Sequence, residues 1–248
     1  MLLTSDILEV PHGFTTREGG VSGEPYDSLN LGLSTGDDPA RVAINRRRVL
    51  EYFGVDRGEV CALRQVHGDS VVVARPCWFD VEGDASVTND SALLLFVGAA
   101  DCFPLLFFDP VVGAVGAAHC GWRGTCKGLA GRVVEALERE YHSRPADIRV
   151  AIGPGICGDC YQVGEEVVES FLTAGFPPEI AVPDGQQHFR LDLVAANRFV
   201  LEHFGVLSEH VECLEACTFE DPGRFFSHRR DRGLTGRHWG IVRLPADT

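Results

Sequence analysis

Residues 101–120 read DCFPLLFFDPVVGAVGAAHC, two almost continuous apolar runs on either side of Asp109-Pro110. An Asp-Pro pair between such runs is typical of a turn, so the stretch predicts a β-hairpin with strands at 103–108 and 111–118. Strands that lack polar alternation are usually buried on both faces. We therefore expect helices or a second sheet to cover both sides of the sheet that contains this hairpin.

The rest of the sequence surrounds the hairpin with both helices and strands. Asp38 and Pro39 have the form of an N-cap and a first helical residue, and Gly54 that of a C-terminal stop, which predicts a helix over 39–53. Further helices are predicted at 128–141, 164–174 and 191–204, and further strands at 7–14, 71–73, 92–97, 148–152, 225–226 and 240–244. Because the two types do not alternate strictly, the fold class is α+β, in a single domain spanning 1–248.

Composition and charge exclude several classes of function. The chain has 248 residues, 45% of them hydrophobic, and a formal net charge of −14. That charge argues against nucleic acid and anionic membrane surfaces as partners, and no apolar run reaches the length of a membrane span. The nine cysteines are an odd number, and the N-terminal residues lack the pattern of a signal peptide. We therefore expect reduced thiols and a cytoplasmic protein.

Two histidines and a cysteine stand in short segments marked by glycine or proline: 65–68 (QVHG), 101–104 (DCFP) and 119–121 (HCG). If the hairpin strands pair across their turn, Cys102 and His119 lie at matching ends and their side chains can meet. With His67 they form a three-ligand set, which leaves a fourth position open as in catalytic zinc sites. The alternatives at this point are a metal-free Cys–His nucleophile pair and unrelated buried side chains.

Six motifs resemble the laccase-domain (YfiH-type) family: 16–22 (TREGGVS), 28–32 (SLNLG), 65–68 (QVHG), 101–104 (DCFP), 119–124 (HCGWRG) and 235–237 (TGR). The resemblance implies a mixed β-sandwich flanked by helices in α/β/β/α layers, with His67, Cys102 and His119 as metal ligands. Members were once labelled multicopper polyphenol oxidases and are now assigned as zinc-dependent purine nucleoside phosphorylases. The implied reaction converts adenosine, inosine, guanosine or methylthioadenosine plus phosphate to free base and ribose 1-phosphate, with adenosine deaminase activity beside it. Cys120 departs from the family pattern, which more usually has alanine there.

Phosphorolysis requires a cationic site for phosphate beside the sugar. The candidates for substrate or phosphate binding are Arg17, Arg46, Arg230 and Arg237. For each of them, the alternative is a solvated surface charge.

Catalytic roles are predicted for Asp101 and Arg123, alongside Cys102. Asp101 would orient the metal ligands or protonate the purine leaving group, and its alternative is the capping of a turn. A second cysteine motif, Cys157-x-x-Cys160, departs from the usual family segment. Scattered buried thiols are the favoured interpretation there, over a structural four-cysteine site with Cys213 and Cys217.

Other functions stay open at this stage. One is a metal-free Cys–His hydrolase, and another is a peptidoglycan-precursor editing factor, a role also attached to the family. A copper polyphenol oxidase is less favoured, because none of the nine histidines lies two residues from another and His-x-His pairs typically build copper clusters. Copper could still bind adventitiously, since it outcompetes zinc at most such sites. We expect purine nucleosides and phosphate as partners, and a monomer or weak dimer.

Overall fold

The protein is described by a computed structural model that covers residues 2–246. Its strands are β1 (Leu2–Leu3), β2 (His12–Thr15), β3 (Val60–Arg64), β4 (Val71–Val73), β5 (Cys77–Glu82), β6 (Ala85–Thr88), β7 (Leu94–Ala99), β8 (Phe103–Asp109), β9 (Ala114–Cys120), β10 (Arg149–Ile152), β11 (Gln162–Gly164), β12 (Ala181–Pro183), β13 (His188–Leu191), β14 (Val211–Cys213) and β15 (His238–Arg243). Its α-helices are α1 (Pro39–Tyr52), α2 (Trp122–Cys126), α3 (Leu129–Tyr141), α4 (Glu165–Thr173) and α5 (Leu193–His203). No helix within residues 2–246 is long and apolar enough to cross a membrane.

The strands form two six-stranded sheets and one small sheet. The first sheet has the order β1-β2-β15-β7-β3-β5, the second β14-β10-β8-β9-β6-β4, and the third β11-β13-β12. Most neighbours are antiparallel, but β3 pairs in parallel with β5 and β7, as do β10 with β14 and β4 with β6. This mixture of pairings confirms the α+β class.

Three apolar layers hold the fold together. Residues such as Phe14, Leu95 and Leu106 come from both large sheets and pack between them. Helix α1 covers the outer face of the first sheet, and α3, α4 and α5 cover the outer face of the second. Burial of this much apolar surface is the main stabilising contribution to such a domain. The resulting α/β/β/α order is the one that the family resemblance implies.

The predicted hairpin forms at the centre of the second sheet, with a longer turn than expected. β8 and β9 pair antiparallel, with Asp109 opposite Ala114 and Pro104 opposite His119. Along β8, Leu105 and Phe107 point to the helices while Leu106 and Phe108 point between the sheets. Both faces are therefore buried, as the apolar run indicated.

The predicted helices are confirmed within one or two residues at each end. Asp38 Oδ1 accepts a hydrogen bond of 2.9 Å from the N–H of Ala40, which makes it the N-cap of α1, and Gly54 follows the helix with φ +65°. The short helix α2 was not predicted, nor were strands β1, β3, β5, β6 and β11 to β14.

Three strand predictions were wrong in extent or type. The run at 111–118 becomes a strand only at Ala114, because residues 110–113 form the turn and Asp109 Oδ1 accepts the N–H of Val111 at 2.8 Å. The strand at 7–14 begins only at His12, after a proline that cannot donate to a sheet ladder. Residues 225–226 are not a strand, because their N–H groups bond to the Asp221 carbonyl oxygen and to His238 Nε2.

Candidate metal centre

Three separate connections bring His67, Cys102 and His119 to one end of the sandwich. His67 lies in the loop after β3, Cys102 in the turn between β7 and β8, and His119 near the end of β9. Their donor atoms all lie within 4.8 Å of one another, and the two imidazole rings meet edge to face at 4.8 Å between centroids. The hairpin register explains the meeting of Cys102 with His119, because Pro104 pairs directly with His119. We call these three residues the metal centre.

A buried carboxylate, Asp84, fixes both histidines of the metal centre. Its Oδ1 accepts Nδ1–H of His119 at 2.9 Å and the backbone N–H of His67 at 3.0 Å. Its Oδ2 accepts the N–H groups of Val66 at 3.1 Å and Gly68 at 2.7 Å. Burial favours a higher pKa for Asp84, but the hydrogen bonds from His119 and these N–H groups hold its pKa below the ordinary value. The carboxylate is therefore ionised. Because Nδ1 of His119 is bonded to it, Nε2 is the ring nitrogen that could bind a metal ion.

The sequence analysis did not identify Asp84. It lies 17 residues after His67 in the short link between β5 and β6, and its spacing matches no metal-ligand pattern. Only the fold places its side chain below the 65–68 loop and beside His119. The left-handed backbone of His67 (φ +57°) agrees with this constraint, because its neighbouring N–H groups all turn toward one carboxylate.

The thiol of Cys102 is set up to ionise. Burial acts to raise its pKa, but the charge and hydrogen bond of His119, with those of His67, outweigh burial and lower the pKa to about 6. The reverse effect acts on His119, whose pKa burial would lower but Cys102 and Asp84 raise to about 9. A thiolate is the form required both of a metal ligand and of a nucleophile.

Gly121 leaves the space that this thiolate occupies. A Cβ atom added to Gly121 would lie 2.8 Å from Cys102 Sγ and 3.4 Å from His67 Cδ2. Any larger residue would therefore displace the sulfur. On the other side the centre is open, since His67 is exposed while His119 is only 3% exposed.

Asp101, the neighbour of the thiol, is buried and fully engaged. Its Oδ1 accepts the hydroxyl of Thr218 at 2.7 Å, and its Oδ2 accepts the N–H of Arg229 at 2.6 Å. Its carbonyl oxygen accepts the N–H of Ile156 at 2.9 Å. These contacts join three loops beside the metal centre and support an orienting role. A proton-donor role for Asp101 stays a prediction.

Two of the predicted arginines, Arg237 and Arg123, have guanidinium nitrogens that make no hydrogen bond to the protein within residues 2–246. Arg237 is largely buried, and burial lowers its pKa while the negative charges of Cys102 and Asp101 act against that change. Its Nη1 donates to the carbonyl oxygens of Thr235 and Gly236. Arg123 is exposed, its guanidinium lies 4.4 Å from the centroid of the Trp122 ring, and that guanidinium makes no hydrogen bond or ion pair within residues 2–246. Binding of an anion by either arginine stays a prediction.

Each of the other three predicted arginines is bonded to the protein, Arg17 and Arg230 through all three guanidinium nitrogens and Arg46 through Nε and Nη2, while Arg46 Nη1 is buried without a hydrogen-bond partner. Arg17 binds Asp27 and the carbonyl oxygen of Pro222, and Arg230 binds Asp231 and three backbone carbonyl oxygens. Arg46 is 6% exposed and gives two hydrogen bonds to the Leu31 carbonyl oxygen inside a cage of aromatic rings. Burial, with the charge of Arg57, lowers its pKa to about 9. Their roles in phosphate binding stay predictions.

The cysteines outside the metal centre are not all scattered, so that interpretation was wrong. All nine cysteines lie within residues 2–246, and each of them is a free thiol. Cys157, Cys160 and Cys217 nevertheless meet, and Glu220 completes their group. Cys213, which the sequence suggested as a fourth member, lies outside it.

Comparison with known proteins places this architecture in a family. Residues 11–245 match the family described as multi-copper polyphenol oxidoreductase laccase. The purine nucleoside phosphorylase of Deinococcus radiodurans is 46% identical over 244 residues, which cover 98% of this chain and 93% of that protein. The crystal structure of YlmD from Geobacillus stearothermophilus superposes with a TM-score of 0.91 at 38% identity, covering 97% of this chain and 94% of that one. That of YfiH from Bacillus licheniformis gives 0.91 at 34% identity, covering 96% and 93%. The chain therefore belongs to the laccase-domain (YfiH) family.

Proposed function

We propose that this protein is a zinc-dependent purine nucleoside phosphorylase whose reaction takes place at the metal centre. The observation that carries the proposal is the convergence of His67, Cys102 and His119 within 4.8 Å, with Asp84 orienting the second histidine. The name of the Deinococcus relative, purine nucleoside phosphorylase, supports the substrate class. The alternatives to this proposal are a metal-free Cys–His hydrolase, a peptidoglycan-precursor editing factor and a copper polyphenol oxidase.

The donor set fits a zinc ion. One thiolate and two imidazole nitrogens are ligands that zinc prefers, and three protein ligands leave a position for substrate or water. The contact between His119 and Asp84 is the carboxylate–histidine pair commonly found behind such ligands. When bound, Zn²⁺ would supply Lewis-acid polarisation of an oxygen on phosphate or substrate.

The residues around the centre suit phosphorolysis. In this reaction a phosphate oxygen forms a bond to C1′ of the ribose while the bond from C1′ to the purine nitrogen breaks. The purine keeps the bonding electron pair and takes up a proton. We assign phosphate binding to Arg237, on which the negative charge of Cys102 acts, and to Arg123, which lies in α2 two residues after Gly121. Both guanidinium groups are free of ion pairs within the described residues. The proton that the purine takes up is the one that hydrogen phosphate carries, so the reaction balances. We assign its relay to the carboxylate of Asp101, which also joins the loops beside Cys102.

The test is turnover by the purified protein. Adenosine, inosine, guanosine and methylthioadenosine are incubated with and without phosphate, and base, ribose 1-phosphate and inosine are quantified by chromatography. We expect base release that requires phosphate and is lost in Cys102→Ser and His119→Ala, but kept in the control variant Cys213→Ser. Appearance of inosine from adenosine reports the proposed deaminase activity.

Two outcomes would contradict the proposal. Base release that is independent of phosphate, survives chelation and stops on alkylation of Cys102 identifies a metal-free hydrolase. Absence of any nucleoside turnover by zinc-loaded protein would leave a binding role, such as that of an editing factor.

A further inference from the structure

A second group of metal-binding side chains lies apart from the metal centre. Cys157 and Cys160 follow β10, and Cys217 and Glu220 follow β14. The ligand atoms of these four residues all lie within 4.8 Å of one another. None of them belongs to the metal centre, and the three cysteines are partly buried while Glu220 is exposed. We call this group the Cys/Glu cluster.

The cluster consists of two turns with the same spacing. The first is Cys157-x-x-Cys160 and the second is Cys217-x-x-Glu220. In the first turn the N–H groups of Cys160 and Tyr161 both donate to the Cys157 carbonyl oxygen at 3.0 Å, and in the second the N–H of Asp221 donates to the Cys217 carbonyl oxygen at 3.2 Å. Paired turns that each present two ligands, with two residues between them, are the common construction of structural zinc sites.

A hydrogen bond to sulfur already orients one ligand. The N–H of Cys157 donates to Sγ of Cys217 at 3.3 Å, across the two turns. Donation to a cysteine sulfur stabilises its thiolate form, which is the form that binds metal. The Cys157 sulfur lies 3.8 Å from a Glu220 oxygen, so the carboxylate lies beside the thiols.

We propose that Cys157, Cys160, Cys217 and Glu220 bind one Zn²⁺ ion in a closed structural site. Three thiolates exclude Ca²⁺ and Mg²⁺, which take oxygen ligands, and select zinc among the abundant divalent ions. Four protein ligands complete a tetrahedron, in contrast to the open three-ligand metal centre. Sulfur atoms in such a tetrahedron lie about 3.7 Å apart, so the observed cluster requires only a small contraction on binding.

The position of the cluster gives the zinc a function. Gly155 bridges to Cys217, and the N–H of Thr218 donates to the Gly155 carbonyl oxygen at 2.9 Å, so the ion joins two segments that already touch. The same two segments hold Asp101, through Ile156 and Thr218. A metal ion here therefore fixes the loops that position the residue next to the catalytic thiol.

Zinc stoichiometry tests this site independently of the proposed function. Wild type and variants are purified with a reductant and without chelators, and zinc per chain is measured by elemental analysis. We expect two equivalents in wild type, one in His119→Ala, one in Cys160→Ser and none in the double variant. The control Cys213→Ser, a cysteine outside the cluster, keeps two.

A spectroscopic readout identifies the ligands. His119→Ala is loaded with Co²⁺, and we expect the intense near-ultraviolet sulfur-to-cobalt bands of a site with three thiolates. These bands disappear in the Cys160→Ser double variant. Glu220→Gln, which keeps the size of the side chain and all three thiols, weakens cobalt binding at least tenfold, and circular dichroism checks that each variant is folded.

Either of two results overturns the proposal. A His119→Ala protein that holds no zinc and shows no thiolate bands with Co²⁺ has no second site, even if wild type is an active phosphorylase. A Cys160→Ser protein that keeps both zinc equivalents shows that the cluster is not where the second ion binds. If the His119→Ala protein is inactive but still binds zinc, the result supports this site, whether or not wild type is a phosphorylase.

Discussion

Replacement of Asp84 by asparagine isolates the group that holds the metal centre together. Asp84 accepts four hydrogen bonds, two on each oxygen, whereas an asparagine side chain has only one oxygen. If the asparagine oxygen takes the place of Oδ2, the hydrogen bonds from His119 Nδ1–H and from the His67 N–H are lost. If it takes the place of Oδ1, the hydrogen bonds from the two N–H groups that flank His67 are lost. The first orientation removes the acceptor of both histidines, and the second removes the bonds that hold the backbone on either side of His67.

The magnitude follows from these contacts. Two buried donors left without an acceptor cost about 1–3 kcal/mol each, partly offset because the neutral amide is easier to bury than a carboxylate. We expect the free energy of unfolding of the metal-free protein to fall by about 2–4 kcal/mol. Loss of the carboxylate behind a ligating histidine should weaken zinc binding about 10- to 100-fold, or about 1.4–2.7 kcal/mol.

The assay is a competitive zinc titration against a chromogenic chelator. It is done in a Cys160→Ser background, in which the metal centre is the site left to titrate, and urea unfolding of the metal-free protein gives stability. Asp69→Asn is the matched control, because Asp69 lies in the same loop as His67 but forms partly exposed ion pairs with Lys127 and Arg132 instead of bonding to the metal centre. Such pairs contribute less than about 1 kcal/mol. An Asp84→Asn protein that binds zinc within twofold of its parent would refute the reasoning.

Other substitutions examine neighbouring features of the site and core. Gly121→Ala should reduce zinc affinity and turnover at least tenfold, because its Cβ would lie 2.8 Å from the Cys102 sulfur; Gly58→Ala, where no atom lies within 4 Å, should change neither. Arg237→Met should raise KM for phosphate about tenfold with a much smaller effect on KM for the nucleoside, as steady-state kinetics will show; equal effects on both would argue against a phosphate contact. Burial lowers the pKa of His238 to about 3, so the neutral ring stabilises the fold above its unfolded pKa of about 6.5 and that stability is lost as the pH falls toward 3. Urea unfolding between pH 7 and 4 should therefore show wild type losing up to about 1.4 kcal/mol per pH unit more than His238→Gln, and parallel pH profiles would contradict this account.

The hairpin explains why half of the site could be predicted from sequence. The turn at Asp109-Pro110 and two uninterrupted apolar runs determine an antiparallel register, and that register alone brings Cys102 to His119. The position of His67 followed from the family motif. No local pattern relates its loop to the second sheet.

Asp84 and the Cys/Glu cluster could not be predicted for the same reason. Each depends on contacts between segments far apart in sequence, 35 residues for Asp84 and His119 and 60 for Cys157 and Cys217. Sequence spacing suggested Cys213 as the partner of Cys217, but Cys213 is the last residue of strand β14, and the fold instead selects Glu220. Side chains that meet only through tertiary packing leave no periodic signal in the chain.

The arginines show a further limit. From the sequence, Arg17 and Arg230 were equal candidates with Arg237 for binding phosphate. In the fold, all three guanidinium nitrogens of Arg17 and of Arg230 are bonded to the protein, whereas Arg237 donates through Nη1. A guanidinium that organises a loop and one that awaits an anion have the same sequence neighbourhood. The two are distinguished only by the hydrogen-bond partners that each guanidinium has in the folded protein.

The most direct measurement is the phosphate balance of the reaction before and after metal removal. Inosine is incubated with phosphate and the purified protein, with chelator-stripped protein, and with stripped protein to which one equivalent of zinc per site has been restored. We expect hypoxanthine and ribose 1-phosphate in equal amounts from the first and third, and neither from the second. Hypoxanthine with free ribose, or undiminished turnover by protein shown to be free of metal, would contradict a phosphorylase that works at the His67, Cys102 and His119 centre.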